Sequence, residues 1–573
     1  MPVALVPAPV VGRVLAGAAL ALTAIAAPGQ DREPAPAPDP PAATDTAPAA
    51  MPAPPPPGAQ PIPTERLAPV EIRSRRPDEM QERRQSTAAK IVIGREEIDR
   101  FGDATLADVL KRLPGVTLQG PPGRGGAIRL RGLGSGYTQI LLDGERVPTG
   151  FSLDALTPDQ IERIEILRAP TAETGARAIG GTINIVTRGG YTRRVNDVRL
   201  SVGHENGGVG PSLSWTRNLT SGAFIVNYSL SAFHIERHAS SRTRTTARRL
   251  EDDALTLEQD LQSRSTARGE GINATGRLQW RPEGGRDTLT LTPIVFHNRF
   301  RFHSAGTLTQ TVGSVEAPFH TSRGDGDNAR SLLRLNGQWM HRFDDGGRFE
   351  WRAGIGQMRF QVDGISRETT GGVLTRTLDD RSRWRDGTVT TSGKLVHTTL
   401  QDHSVLSGIE FESHRREDSR VTVQTPDPFV TDFGDNLSAS SLRLAAYAQD
   451  EWNLTPNWSV HAGLRWESIR TRGSLEEDVP VASNRSSVWS PLLHAVWKPD
   501  PAGRDQIRMS LTRSYRSPLL AQLIARPVIN TRYAVGGPNT PTQPDRAGNP
   551  ALRPELATGI DVAVERYLPG TAS

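Results

Sequence analysis

Fourteen stretches between residues 195 and 568 read as β-strands, and the rhythm of their connections constrains the fold more than any other feature. The clearest is Gly222–Glu236. Phe224, Val226, Tyr228, Leu230 and Ala232 fall on one face of it, and Asn227, Ser229 and Ser231 on the other. That period of two is the signature of a strand with one apolar side. A soluble sandwich would give the same alternation, so the connections must decide. Those at 218–221, 282–285, 345–346, 400–402, 454–457 and 499–504 are short. Between them lie long ones at 237–270, 303–327, 364–382, 417–439, 472–485 and 517–555. Short turns alternating with long loops predict an antiparallel transmembrane barrel, apolar outside and polar inside. After residue 27 no run of eighteen apolar residues occurs, so helical membrane spans are excluded there.

Composition removes several function classes. The 573 residues include no cysteine, which excludes disulfides, cysteine–zinc sites, iron–sulfur clusters and thiol nucleophiles. The 68 basic and 63 acidic residues leave a net charge of +5, a mixed surface with no excess for nucleic acid. The glycines of 120–126 lack the strand–loop–helix context and Lys-Ser/Thr of a phosphate loop. Neither His-Glu-x-x-His nor Gly-x-Ser-x-Gly occurs. No catalytic constellation and no cofactor site is expected.

The N-terminal region reads as export and tether. Residues 14–27 are a short apolar run behind Arg13, with Ala24-Ile25-Ala26 as a small-x-small cleavage site, so residues 1–27 resemble a signal peptide. Residues 28–63 hold fourteen prolines, and the linker over 28–66 is expected to be extended. Region 67–85 opens on a β-prone island, Leu67–Arg73, able to add a strand to a partner's sheet. On local grounds alone it reads rather as plain linker.

Residues 86–190 predict a mixed α/β domain. Ile91–Ile93 reads as a strand and Gly94–Asp99 as a helical turn. Asp103 can cap a helix Ala104–Leu113 whose Leu106, Val109, Leu110 and Leu113 share a face, and Pro114-Gly115 stops it. Val116–Leu118 and Ile128–Arg131 read as strands, and Ile140–Val147 as a hairpin turning at Asp143-Gly144. Thr157–Ile161 reads as a helix start with proline at its first position. Ile164–Leu167 and Gly181–Thr187 complete the strands.

Five blocks in this domain resemble the plug of TonB-dependent outer-membrane receptors. They are Ala107–Val116, Ile128–Gly132, Leu142–Gly144, Ile161–Pro170 and Ala178–Thr187, in the family's order. Ala169 departs from the glycine usual before Pro170. Ala446–Trp452, Trp458–Glu467, Ser514–Pro518 and Asn549–Glu555 resemble the family's barrel, so the likeness covers 67–568. The resemblance implies domains at 86–190 (plug) and 191–573 (barrel). A family barrel has about 22 strands. Fourteen strands and a last stretch without a terminal aromatic lead us to expect a C-terminally truncated chain.

The resemblance also implies a function. It places the chain in the outer membrane of a Gram-negative bacterium, in contact with lipid and lipopolysaccharide. It implies energised uptake of a scarce small-molecule ligand, foremost a ferric siderophore. Cobalamin, other metal chelates, oligosaccharides and an inactive fragment stand as alternatives. The TonB protein would pair with a box at Pro69, Val70, Glu71 and Ile72. Arg131 and Arg168 match positions of plug arginines, and barrel carboxylates should lock them. Glu451 shares a face with Arg443, Tyr447 and Gln449, which should point inward, and Glu467 is the second candidate. Arginines in 237–270 and 364–382, such as Arg242, Arg244 and Arg376, suit an anionic ligand, lipopolysaccharide phosphate or plain solvation.

Overall fold

The structure is a computed structural model that describes residues 86–100, 106–119, 127–134, 136–147, 158, 161–187, 196–314, 316–397, 403–426, 436–474, 482–524 and 547–566. The chain divides into two units, 1–74 and 75–573, and every described residue belongs to the second. The expected signal peptide, proline-rich linker and box residues Pro69, Val70, Glu71 and Ile72 lie outside the described residues.

The N-terminal domain is built on two small sheets. Its elements are β1 (Lys90–Ile93), α1 (Arg95–Asp99), α2 (Leu106–Lys111), β2 (Val116–Gln119), β3 (Ala127–Leu130), β4 (Thr138–Leu142), β5 (Glu145–Arg146), β6 (Ile161–Leu167) and β7 (Gly181–Thr187). The main sheet runs β1-β6-β7-β4-β5, with β4 and β7 parallel and the other neighbours antiparallel. β2 and β3 form a separate antiparallel pair. Helix α2 forms because Leu106, Val109 and Leu110 repeat at helical spacing, and all three are buried. The β4–β5 hairpin turns at Asp143 and Gly144, both left-handed with φ of 53° and 81°, the two-residue turn that suits strand twist. The helix expected to start at Thr157–Ile161 does not reach Ile161, which begins β6. Ile161, Ile164 and Ile166 are β-branched and buried, and packing into the sheet overrides the local proline signal.

Around this plug stands one antiparallel sheet of fourteen strands. They are β8 (Asn196–Glu205), β9 (Gly208–Ser221), β10 (Phe224–Arg248), β11 (Leu255–Trp280), β12 (Asp287–Gly313), β13 (Thr321–Arg342), β14 (Arg348–Thr370), β15 (Val373–His397), β16 (His403–Thr425), β17 (Asn436–Thr455), β18 (Trp458–Ser474), β19 (Ala482–Trp497), β20 (Gln506–Arg516) and β21 (Glu555–Glu565). A short helix α3 (Leu520–Leu523) follows β20. Each strand pairs with the next in sequence, and β8 and β21 are the sheet's edges among the described residues.

All fourteen expected strands are present, but most run further outward than their apolar faces suggest. The connection expected at 237–270 shrinks to 249–254, and that at 364–382 to 371–372. Beyond the apolar band the ladder continues on backbone hydrogen bonds and cross-strand ion pairs. Arg242–Asp260 at 2.7 Å and Arg376–Glu368 at 2.7 Å are examples. These arginines therefore belong to strands and already have carboxylate partners.

The plug core reaches the wall. Leu106, Leu110, Ile164, Ile166 and Ile183 form one buried cluster with Ile294, Phe296, Leu332 and Met358 from the inner faces of β12, β13 and β14. Sequence reasoning assigned these inner positions to a polar face. Ile294-Val295-Phe296 and Leu332-Leu333 are apolar on both faces, and that doubling was the available signal.

Candidate functional site

The plug faces the opposite part of the wall through charges. Arg177 lies in the connection between β6 and β7, beside a tight turn at Thr171–Gly175. Its guanidinium sits 3.2 Å from Glu412 on β16 and 3.4 Å from Glu467 on β18. Arg443 on β17 lies between them, 2.9 Å from Glu412 and 2.8 Å from Glu410. Arg465 on β18 donates to Glu410 at 2.7 Å and to the Ala172 carbonyl of the plug at 2.9 Å, and it also pairs with Glu467. The Tyr515 hydroxyl donates to Glu467, and its amide donates to the Ala176 carbonyl at 2.7 Å.

Three guanidinium groups thus meet three carboxylates, and the cluster is neutral as a whole. Glu467 and Arg465 are almost wholly buried. Removing one member of such a group strands a buried charge, at a cost of about 3–5 kcal/mol. The intact network adds little net stability over an apolar contact but fixes one seating of the plug.

Four further groups of contacts surround this centre. On the hairpin side, Arg334 lies 3.7 Å from Glu145 and donates to the Arg146 carbonyl at 2.9 Å. Lys394 bridges Glu173 of the plug at 2.7 Å and Glu350 of β14 at 3.1 Å. On the β20–β21 side, Tyr137 donates to Glu555 at 2.6 Å, beneath the guanidinium of Arg516 at 4.5 Å from the ring. At the start of the plug, Arg508 donates to the carbonyls of Ser86 and Thr87, and the Thr87 hydroxyl donates to Glu451.

The four residues singled out from the sequence are distributed over these contacts, but not paired as expected. Arg131 lies 3.0 Å from the carboxylate of Asp561 on β21, neither Glu451 nor Glu467. It also donates to the Arg168 carbonyl at 3.0 Å. Arg168 is exposed, and its guanidinium has no carboxylate partner among the described residues. Glu451 holds Thr87, and Glu467 meets Arg177. The reason is register. Strand pairing sets Glu412 opposite Arg443 and places Glu467 next to Ala445, so the wall's charges converge on Arg177. Glu410-Phe411-Glu412 and Arg465-Trp466-Glu467 place two charges on the inner face on either side of an outward ring, which marks them in retrospect. Nothing in the sequence around Arg177 marks it.

One rung outward from the plug, the inner wall carries a ladder of rings and guanidinium groups. Arg330 stands 4.7 Å over the Phe360 ring, Phe360 lies 5.1 Å from Trp384, and Arg416 stands 4.9 Å over Trp384. The next inward residues on β13 and β14, Leu332 and Met358, already pack on the plug. Arg416 is itself held by two bonds to Asp386, at 2.7 and 2.6 Å. Such a wall can stack a planar group and hold negative charge.

Two family models match this chain. The TonB-dependent receptor plug domain covers residues 82–182, and the TonB-dependent receptor-like β-barrel covers 260–573. The chain belongs to the TonB-dependent receptors. An iron-regulated outer membrane virulence protein of Vibrio cholerae is 25% identical over 489 residues, 82% of this chain and 62% of that protein. A probable TonB-dependent siderophore receptor of Acinetobacter baumannii, PirA, is 23% identical over 515 residues, 83% of this chain and 63% of that one. This receptor chain therefore spans a little under two thirds of the curated relatives it matches. The crystal structure of the siderophore receptor PiuA from Acinetobacter baumannii shares its fold, with a TM-score of 0.50 at 14% identity over 84% of this chain and 70% of that one. The described barrel is that of an outer-membrane receptor, with its plug inside.

Proposed function

We propose that this receptor takes up a ferric siderophore across the outer membrane, driven by TonB. The observation that carries the reading is the seating of the plug. It is held across the lumen by Arg177, Glu412 and Glu467 within the neutral cluster of three arginines and three glutamates, which can be broken and rehydrated. An apolar seal of the same area would resist any small displacement. The ring-and-guanidinium ladder at Arg330, Phe360, Trp384 and Arg416 suits a planar, anionic metal chelate, and two relatives are named for iron regulation and for siderophores.

In this reading residues 1–27 direct export and 28–66 tether the box at 67–85. TonB pairs with Pro69, Val70, Glu71 and Ile72 by strand addition. Force then reaches the plug at Ser86 and Thr87, where Arg508 and Glu451 hold the chain. Arg131 with Asp561 and Glu467 with Arg177 act as the plug–barrel lock. Arg168 contributes its carbonyl to that lock.

The test is uptake of radioactive iron, supplied as a catecholate chelate, in cells with and without TonB. Val70→Pro should abolish uptake and leave surface binding intact, because proline removes a donor from the added strand. Uptake by the variant equal to that of the parent would refute this placement of the box.

A further inference from the structure

Only two of the twelve histidines are buried, His461 on β18 and His494 on β19. They stand directly opposite each other on the inner face, with ring centroids 5.2 Å apart and ring planes at 70°. The rung that holds them continues on both sides. Glu451 of β17 is opposite His461, Ser510 of β20 is opposite His494, and Asp561 of β21 is opposite Ser510. One polar row therefore crosses five strands, and it touches the plug three times. Glu451 accepts from the Thr87 hydroxyl, His494 Nε2 lies 3.0 Å from the Pro170 carbonyl, and Asp561 lies 3.0 Å from Arg131.

These bonds define the protonation of His494. A carbonyl only accepts, so Nε2 carries the hydrogen, and Nδ1 accepts from the Ser510 hydroxyl at 2.9 Å. That is the neutral ring with both nitrogens in use. His461 Nε2 is buried without a hydrogen-bond partner among the described residues. A second proton on either ring would place a charge in a dry site beside another imidazole. The carboxylates that could balance it are already committed: Glu451 to Thr87, Asp561 to Arg131, and Glu173 of the plug to Lys394 at 2.7 Å. Arg508, the next inward residue on β20 toward the turn, adds positive charge and is held by Glu565 and the Ser86 carbonyl. Asp450 faces outward, to His403.

We infer that this histidine pair is an acid-sensitive latch on the plug. Both rings are neutral while Thr87, Arg131 and Pro170 are seated. When the plug lifts, water reaches the rung and Glu451 and Asp561 lose their partners. The imidazoles then take up protons as they do in water, near pH 6.5. Protons therefore bind the unseated form better and shift the balance toward it. The latch holds fully above about pH 6.5 and weakens below it. His461 borders a cavity of about 770 Å³ that also meets Thr87, Glu173 and Glu451, which gives water room to enter. The inference concerns how the plug is held and is independent of the cargo.

The test is hydrogen exchange of the full chain in phosphatidylcholine vesicles at pH 7.5 and 5.5, with each amide taken relative to free-peptide exchange at the same pH. The main probe is the Tyr515 amide, whose bond to the Ala176 carbonyl at 2.7 Å crosses the junction. The Gly175 amide, bonded to the Thr171 carbonyl at 3.1 Å, is the second. Each histidine that protonates only in the unseated form raises opening about tenfold over this range. Protection in the parent should therefore fall by well over tenfold. H461Q and H494Q should each leave a fall of about tenfold. H461Q/H494Q should be equally protected at both pH values, because glutamine can donate to Pro170 and accept from Ser510 without titrating. If the double variant folds poorly, as judged by its β-sheet circular dichroism, H461Q decides the matter, since it leaves the Pro170 and Ser510 bonds in place. Equal protection of the parent at the two pH values would overturn the inference. So would variants that lose protection at both pH values yet keep the parent's ratio, which would reduce the histidines to packing.

Discussion

Glu467 is the residue on which the plug's seating turns. It takes Arg465, Arg177 and Tyr515 at once, and it is buried. Glu467→Gln should leave Arg177 and Arg465 short of charge and destabilise the seated plug by about 3–5 kcal/mol. Arg177→Met combined with Glu467→Gln should cost less than the sum of the two single changes, because each single change strands the other's charge. Hydrogen exchange of the plug amides within the intact barrel measures both. Strict additivity would show that the pair does not interact. Gly144 offers a second test. A Cβ there would lie 2.7 Å from a guanidinium nitrogen of Arg352, and the backbone φ is +81°. Gly144→Ala should therefore loosen the β4–β5 hairpin by about 1–2 kcal/mol.

Among the elements, β1 comes first in the plug sheet's chain order. It has four residues and sits at the edge of the plug sheet. Its one charged anchor to the neighbouring strand is Lys90, 3.4 Å from Glu165 of β6. Burial pushes the Glu165 carboxyl up, but Lys90, Asn184 and Arg163 outweigh it and hold it below the usual range. A depressed carboxylate stabilises fully above its unfolded value, near 4.3, and loses that contribution as pH falls through the folded one. Protection of the β1 amides, relative to free-peptide exchange at the same pH, should therefore fall as pH drops below about 4, and Glu165→Gln should remove that dependence. Unchanged protection in the parent at that pH would contradict the assignment. The strands themselves were legible because alternation and short turns repeat. Their outer halves were not, since Arg242, Asp260 and their neighbours carry no apolar face and pair through backbone and charge. The site was half legible. Parity along β17 turned Arg443 and Glu451 inward, but only the register of β16, β17 and β18 shows which charges converge on Arg177.

At the scale of the whole molecule, plug and wall divide their contact by chemistry. Ile294, Phe296, Leu332 and Met358 meet the plug core on one side, and buried charges meet it on the other. Displacement would begin on the charged side, where broken contacts can be taken over by water, while the apolar side keeps the plug in the lumen. The chain has no cysteine, so one engineered pair can fix this junction without ambiguity. A Cβ built on Gly463 of β18 would lie 3.1 Å from the Cβ of Ala172 in the plug, close enough for a disulfide once β18 yields by a few tenths of an ångström. The decisive measurement is uptake of radioactive iron, supplied as a catecholate chelate, by the Ala172→Cys/Gly463→Cys variant before and after reduction. The account predicts chelate binding in both states and uptake only when the bond is reduced. Equal uptake with the bond intact would mean that the plug need not leave its seat against Arg177, Glu412 and Glu467.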